Sequence, residues 1–430
     1  MPARAPREHA ALEDRRYSGP VRQRPLVVVL ALVVSAALGG AAALAIGSAG
    51  GWLGKGTKTV ATVVVNARAA TGATALPASV ASKARPITGN GFDPAKIYAE
   101  RSAGVVTIYA FFGDPSSDAT EAAQGSGFVI SSKGYVLTNS HVITNAGEGS
   151  GPVKAASHLY VEFSDGDRVD ARVVGWDVFD DIGLLRIDPS QHVLAPVPLG
   201  DSATVVVGEP VAAIGSPLGN ENSLGVGIVS ATHRSIPALT VRLYDVVDAI
   251  QTDAPITHGN SGGPLFDARG RVIGLNAQIR SQSGTGNDSG IGFAIPIDAA
   301  KHSVAQLLSK GHVDYAYVGI TTQDMTPALA RVLHYKVTHG ALIEDVKPGP
   351  GASAGLRGST TPVEALGYRD LKGGGDVIVA IDGKPVRNAD DVVRIVSFDL
   401  RPGAVATFTV VRGSVRKTVA VTLGLRKPPG

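Results

Sequence analysis

Ser261 stands between glycines in Gly259-Asn260-Ser261-Gly262-Gly263-Pro264-Leu265, entered from Asp253-Ala254-Pro255. A serine on so tight a turn suits a nucleophile, because small neighbours let a substrate carbonyl reach the hydroxyl. They also let main-chain amides of the Gly259, Asn260 and Ser261 turn, those of Gly259 and Ser261 foremost, converge on the oxygen that gains charge during acyl transfer. A serine hydroxyl is weak unless a base takes its proton and a third group orients that base. His141 follows an apolar strand pattern in Leu137-Thr138-Asn139-Ser140-His141-Val142. A carboxylate, Asp180 or Asp181, opens another in Asp180-Asp181-Ile182-Gly183-Leu184-Leu185. The three types occur in the order His, Asp, Ser, each at a strand edge.

Taken singly, each stretch has a plainer reading: a glycine-rich turn, a structural histidine, a solvated acidic turn. Gly259 to Gly263 also fits the G-x-S-x-G elbow of α/β-hydrolases, in which the acid and the histidine follow the serine. Asp298 and His302 do follow, but they fall inside an amphipathic helix pattern, and alternating βαβ units are missing before Ser261.

The elements that must position these residues read as short β-branched runs between turns. Strand candidates are Val105 to Phe112, Gly127 to Ile130, Tyr135 to Thr138, Leu159 to Phe163, Val169 to Trp176, Ile182 to Ile187, Pro210 to Ile214, Leu224 to Ser230 and Val272 to Ala277. Gly113 to Gln124 and Asn145 to Ser157 read as surface loops. Asp93 is a cap for a short helix starting at Pro94. Pro296 to Lys310 switches to helical spacing, with Asp298 a candidate cap and Gly311 a stop. From Tyr315 a second domain opens with Tyr317-Val318-Gly319-Ile320. It continues through strands at Gly340 to Val346 and Gly375 to Gly383, a helix capped by Asn388, and closing strands at Val405 to Val411 and Thr418 to Leu423.

Composition bounds the rest. With 44% hydrophobic and 18% charged residues the chain can bury a sizeable core, and a net charge of +3 is too small to indicate nucleic acid as a partner. There is no cysteine, hence no disulfide framework, thiolate metal site or cysteine nucleophile. No metal cluster or nucleotide loop is evident, so no cofactor is expected. Residues 1–24 are polar and arginine-rich, and 25–53 contain no charged side chain until Lys55. Leu26 to Ile46 alone is long enough for a helix to cross a hydrocarbon core of about 30 Å. The basic residues before it predict a cytoplasmic tail (1–24), an uncleaved transmembrane anchor (25–53) and an extracytoplasmic remainder. Residues 54–92, rich in Ala, Thr, Gly and Ser, read as a linker.

As a set, these stretches resemble the HtrA/Deg family of trypsin-fold serine proteases. The matching text is Gln124-Gly125-Ser126-Gly127-Phe128-Val129-Ile130, Leu137 to Val142, Asp181 to Leu185, Gln251-Thr252-Asp253, Gly259 to Leu265 and Gly290-Ile291-Gly292-Phe293-Ala294-Ile295-Pro296. The resemblance implies a mostly β fold, with a chymotrypsin/trypsin-like double barrel over 93–312 and a small α+β PDZ domain over 313–427. It implies Ser261, His141 and Asp181 as the triad, since the family carboxylate directly precedes the apolar strand. Asp181 is then expected buried and Asp180 solvated. The base of the primary specificity pocket falls at Pro255, which has no charge to pair with Lys or Arg. Together with Asn276, Ala277 and Gln278 it implies an apolar pocket and cleavage after small aliphatic residues in unfolded proteins. Asp253 and Asn276 look like scaffold. In the second domain, Tyr317, Val318, Gly319 and Ile320 match the loop whose amides hold a peptide C-terminal carboxylate. The peptide would add as a strand beside the helix. Gly358 to Gly374 departs from that pattern as an insertion. Relatives commonly form trimers, so a homo-oligomer is implied. The competing class is a catalytically silent, chaperone-type binding protein on the same fold.

Overall fold

The computed structural model describes residues 91–113, 121–146, 152–216, 222–237, 240, 245–257, 259–277, 291–365, 367 and 370–427. The expected tail, the membrane anchor and all but the last two residues of the linker lie outside them. Among the described residues no helix is long and apolar enough to cross a membrane.

Asp93 opens α1 (Pro94–Arg101) by accepting from Lys96 N at 3.0 Å, with Pro94 placed where its missing N–H is harmless. Six strands follow: β1 (Val105–Phe112), β2 (Glu121–Ser131), β3 (Tyr135–Thr138), β4 (His158–Glu162), β5 (Arg168–Asp177) and β6 (Ile182–Ile187). They close an antiparallel barrel in the order β1-β2-β3-β6-β5-β4, and a single helical turn, α2 (Ser140–Ile143), leaves the end of β3. A second barrel closes as β10-β11-β12-β9-β8-β7 from β7 (Pro210–Gly215), β8 (Ser223–Pro237), β9 (Asp245–Thr252), β10 (Pro264–Phe266), β11 (Val272–Ala277) and β12 (Gly292–Pro296). Phe128, Leu137 and Ile182 from the first barrel share one buried cluster with Ile214, Phe266 and Leu275 from the second. Each such side chain taken from water contributes about 1.5–3 kcal/mol, so this apolar seam fixes how the two barrels meet.

The structure corrects the sequence reading in several places. Glu121 to Gln124, expected in a loop, extend β2 and pair with β1 from Phe112 to Tyr109. β9, β10 and β12 were not expected as strands. Asp298 does not cap α3 (Ile297–Lys310). It lies in the first turn, and its carboxylate accepts instead from Ser202 N and Oγ, both at 2.8 Å. Gly311 ends the helix in the left-handed conformation, φ 77°, as expected.

The second domain begins with β13 (Ala316–Tyr317) and β14 (Ile320–Asp324), then α4 (Pro327–Val332), β15 (Ala341–Val346) and α5 (Pro350–Ala354). The insertion carries β16 (Thr361–Pro362) and β17 (Lys372–Gly373), which pair only with each other. There follow β18 (Val377–Ile381), β19 (Lys384–Pro385), α6 (Ala389–Arg394), β20 (Val405–Arg412), β21 (Val415–Thr422) and β22 (Gly424–Leu425). The main sheet runs β14-β15-β18-β20-β21, with β14 at an edge, while β13 pairs with β22. Asn388 caps α6 by accepting from Asp391 N at 2.9 Å, and the helix continues as a π-helical turn to Asp399. Val392, Ile395 and Val396 from this helix bury against Ile343, Ile378 and Phe408 of the sheet.

Candidate active site

His141 lies in α2, one turn beyond the end of β3, and Asp181 immediately precedes β6, which pairs with β3. That pairing brings the two side chains together: His141 Nδ1 is 2.7 Å from Asp181 Oδ2. Asp181 adopts φ 52°, a left-handed conformation uncommon for a residue with a side chain. Four further bonds hold it there. Oδ1 accepts from Ser140 Oγ at 2.8 Å and His141 N at 3.0 Å, and the main-chain carbonyl accepts from Asn139 Nδ2 at 2.9 Å and Ser140 N at 3.2 Å. Burial disfavours the charged imidazole, but the adjacent Asp181 carboxylate outweighs it by charge and hydrogen bond, so the pKa of His141 is raised.

The expectation of a solvated Asp180 is overturned. Asp180 is as buried as Asp181, because Tyr315 Oη, 135 positions later in the chain, reaches its Oδ2 at 2.6 Å. The same hydroxyl lies 2.5 Å from Asp177 Oδ2. Tyr315, expected to begin the second domain, thus has its side chain in the first, edge-on to Phe179 at 5.5 Å.

Ser261 is presented by a turn in which Asn260 N donates to Thr257 O at 3.0 Å. Gly259 holds the third place of that turn with φ 93°, the sign a type II turn requires there. Because the Asn260 amide is engaged in the turn, Gly259 and Ser261 are left as the main-chain donors of the three named from the sequence. Strand β2 of the other barrel clamps the turn. Ser126 N donates to Ser261 O at 2.8 Å, and Ser126 Oγ donates to Gly259 O at 2.5 Å while accepting from Ser216 N at 2.8 Å. The approach is so close that a Cβ on Gly262 would lie 2.3 Å from both Ser126 O and Thr138 Oγ1. Ser261 Oγ is buried and has no hydrogen-bond partner among the described residues. Sequence reasoning took Ser126 for part of a motif and missed its role as a clamp. The glycines on either side of it were the only hint.

Asn276, grouped from the sequence with the substrate pocket, is fully buried and serves as scaffold. Its N and O pair with Gly263 and Gly262, and its Nδ2 donates to Pro264 O at 3.2 Å. Asp253 is scaffold too, accepting from Ile228 N at 2.6 Å. Pro255 is exposed, Ala277 is buried, and Gln278 lies outside the described residues. Asp298 and His302, the partners an α/β-hydrolase reading would need, face a different place. They help line a cavity of about 580 Å³ between α3, β9 and α6.

In the second domain, Val318 O accepts from Gly351 N at 2.7 Å and Gly319 O from Lys347 N at 2.8 Å, which turns the carbonyls of the Tyr317–Ile320 loop into the domain. Helix α6 stands over β14, tied by Asp324 Oδ1 accepting from Ala389 N at 2.8 Å. It also touches the first domain: Ser235 Oγ donates to Asp390 Oδ1 at 2.5 Å, and Arg394 Nε lies 3.8 Å from Asp248 Oδ2.

Comparison with known proteins agrees with this geometry. Residues 125–275 match the description of a trypsin-like peptidase domain and residues 316–423 that of a PDZ domain. A probable periplasmic serine endoprotease, DegP-like, of Pseudomonas fulva is 38% identical over 301 residues, covering 70% of this chain and 55% of that protein. Protease Do-like 1, chloroplastic, of Arabidopsis thaliana is 38% identical over 310 residues, covering 71% and 65%. The chain thus spans a little over half the length of the Pseudomonas relative. Among solved structures, an HtrA-type protease AlgW with tripeptide superposes with a TM-score of 0.62 at 31% identity, covering 78% of this chain and 98% of that one. The chain therefore belongs to the HtrA-type, DegP-like family of serine proteases.

Proposed function

We propose that the protein is a serine endopeptidase that uses Ser261, His141 and Asp181. The observation that carries this reading is the 2.7 Å contact between Asp181 and His141 on one barrel, together with a serine turn that Ser126 of the same barrel clamps at both ends. Ser261 Oγ attacks the scissile carbonyl, and His141 Nε2 takes its proton and returns it to the leaving amine. Asp181 fixes the tautomer with Nδ1 protonated and stabilises the imidazolium. The amides of Gly259 and Ser261 receive the developing oxyanion. Water then repeats the sequence on the acyl-enzyme. Pro255 at the pocket base favours Val, Ala or Ile before the cut over Lys or Arg. The test is fluorophosphonate labelling together with mass spectrometry of casein fragments. Ser261→Ala should abolish both labelling and cleavage. Full activity in that variant, or fragments ending chiefly in Lys or Arg, would contradict the nucleophile or the specificity respectively.

The reading extends to the second domain and the N-terminus. Peptides with an apolar C-terminus would add along the open edge of β14, their carboxylate on the amides of Val318 to Ile320. Since α6 flanks that groove and also contacts β8 and β9, a bound peptide acts on the first domain through it. A soluble form ending after Ala316, which keeps Tyr315, should lose stimulation by such peptides while still labelling at Ser261. The run Leu26 to Ile46 supports a retained anchor with the protease on the exported face. Alkaline extraction releasing the full chain from membranes would contradict that. Assembly as a trimer, implied by the family resemblance, is read by sedimentation of the same soluble form.

A further inference from the structure

Asp177, Asp180 and Tyr315 form a buried group that the chemistry above does not use; their exposures are 3%, 1% and 1%. Tyr315 Oη stands 2.5 Å from Asp177 Oδ2 and 2.6 Å from Asp180 Oδ2. A phenol has one proton, so it can donate to one of these oxygens only. The other contact would set two lone pairs against each other at hydrogen-bond distance unless a carboxyl proton fills it. The group therefore holds a second proton. Burial raises the pKa of both carboxyls, but Asp177 is better suited to stay ionised, because Ser303 Oγ at 2.7 Å, Phe179 N at 2.9 Å and Asp180 N at 3.4 Å also donate to it. The second proton then resides on Asp180, and the chain of donation runs from Asp180 to Tyr315 to Asp177.

Other charges face this group from each element around it. Arg426, whose guanidinium lies over the Phe179 ring at 5.3 Å, lowers the pKa of Asp180, and Asp248 on β9 raises it. His302 on α3 lies 6.2 Å from the Tyr315 ring, and burial lowers its pKa. The net result for Asp180 is a pKa pushed up to about 7, chiefly by burial and then by Asp177.

We propose that Tyr315, through the proton it shares with Asp177 and Asp180, is a positioning residue for Asp181. The link into the second domain thereby becomes part of the acid–base machinery. Asp180 and Asp181 are consecutive, and Asp181 is held at φ 52° with both its carbonyl and its carboxylate engaged, so the corner cannot turn at Asp180 without moving Asp181. When the shared proton leaves, two carboxylates compete for one hydroxyl and the corner loosens. The inference rests on the proposed role of Asp181.

The test is the dependence of kcat on pH for the full-length protein, its Asp180→Asn variant and its Tyr315→Phe variant, with a short peptide substrate. The amide of Asp180→Asn donates where the carboxyl proton did, but does not titrate. Wild type should show a bell-shaped profile: a rise as His141 loses its proton, then a fall of about tenfold from about pH 7 to about pH 9 as the shared proton is lost. Asp180→Asn should convert the bell to a rise and plateau. Tyr315→Phe should lower kcat with KM little changed. Matching profiles for wild type and Asp180→Asn would overturn the inference, and this arm decides the matter if Tyr315→Phe does not fold. Labelling that survives Ser261→Ala would instead overturn the protease reading itself.

Discussion

Asp181 and Ser261 come from different barrels and are held by different means. The aspartate is fixed largely by side-chain hydrogen bonds and charge: five bonds on one residue, all from Asn139, Ser140 and His141 on the segment that also presents the histidine, two of them donated by main-chain N–H groups. The serine turn is fixed by main-chain geometry, with glycines at 259 and 262 and carbonyls gripped by Ser126. Substitution in the first region removes an interaction with a defined charge. Substitution in the second moves a backbone. The acid–base region should therefore respond in pH profile, and the nucleophile region in kcat without a shift along the pH axis.

The sharpest way to break that contrast is Asp181→Asn. Loss of the carboxylate should lower kcat by about 10⁴-fold. It should also move the acid limb to lower pH, because Asp181 is what raises the pKa of His141 against the effect of burial. A large loss with no movement of the limb would mean that Asp181 acts through position alone. Next in size is Ser126→Ala, which removes the side-chain donor to Gly259 O in a partly buried place; leaving such a group unpaired costs about 1–3 kcal/mol. We expect kcat to fall between about tenfold and a hundredfold, with KM and the pH midpoint unchanged. A drop in Tm with full kcat would reduce Ser126 to scaffold.

The smallest effect is on stability. A folded-state pKa near 7 for Asp180, against 3.8 for an ordinary aspartate, means that the proton favours the folded state. That contribution is complete below pH 3.8, declines as pH rises and is gone above about 7. Asp180→Asn should flatten the dependence of Tm on pH across this window by a few degrees. A slope equal to that of wild type would place the proton elsewhere.

His141 could be read from the sequence by the unambiguous apolar text before it, Ser261 by its glycines rather than by any strand, and Asp181 over Asp180 only through the family resemblance. Asp180 could not, since its burial depends on a tyrosine 135 positions away. Nothing local distinguishes a buried Asp-Asp corner from a solvated one. Glu121 to Gln124 were missed because two alanines between polar residues lack the β-branched text of a strand, and only pairing with Val105–Phe112 makes them one. β10 was hidden by its length of three residues, and β9 by acidic residues among its valines. The left-handed φ of Asp181 likewise left no trace in the sequence, because what enforces it comes from Asn139 and Ser140.

The ribbon of β13 and β22 has a mechanical consequence. Ala316 pairs with Leu425 and Tyr317 with Gly424, and just outside them Arg426 N donates to Tyr315 O at 2.9 Å. The strands leading into and out of the second domain therefore leave side by side from the same end of the ribbon. Tension between the first domain and the chain beyond residue 427 would load these bonds one after another, as in a zipper, rather than all at once in shear. Little force is needed to part bonds loaded in that way, and the Arg426–Tyr315 bond would yield first. A pull on that end would thus be felt at Tyr315, and through it at Asp177 and Asp180, before the sheet of the second domain is disturbed.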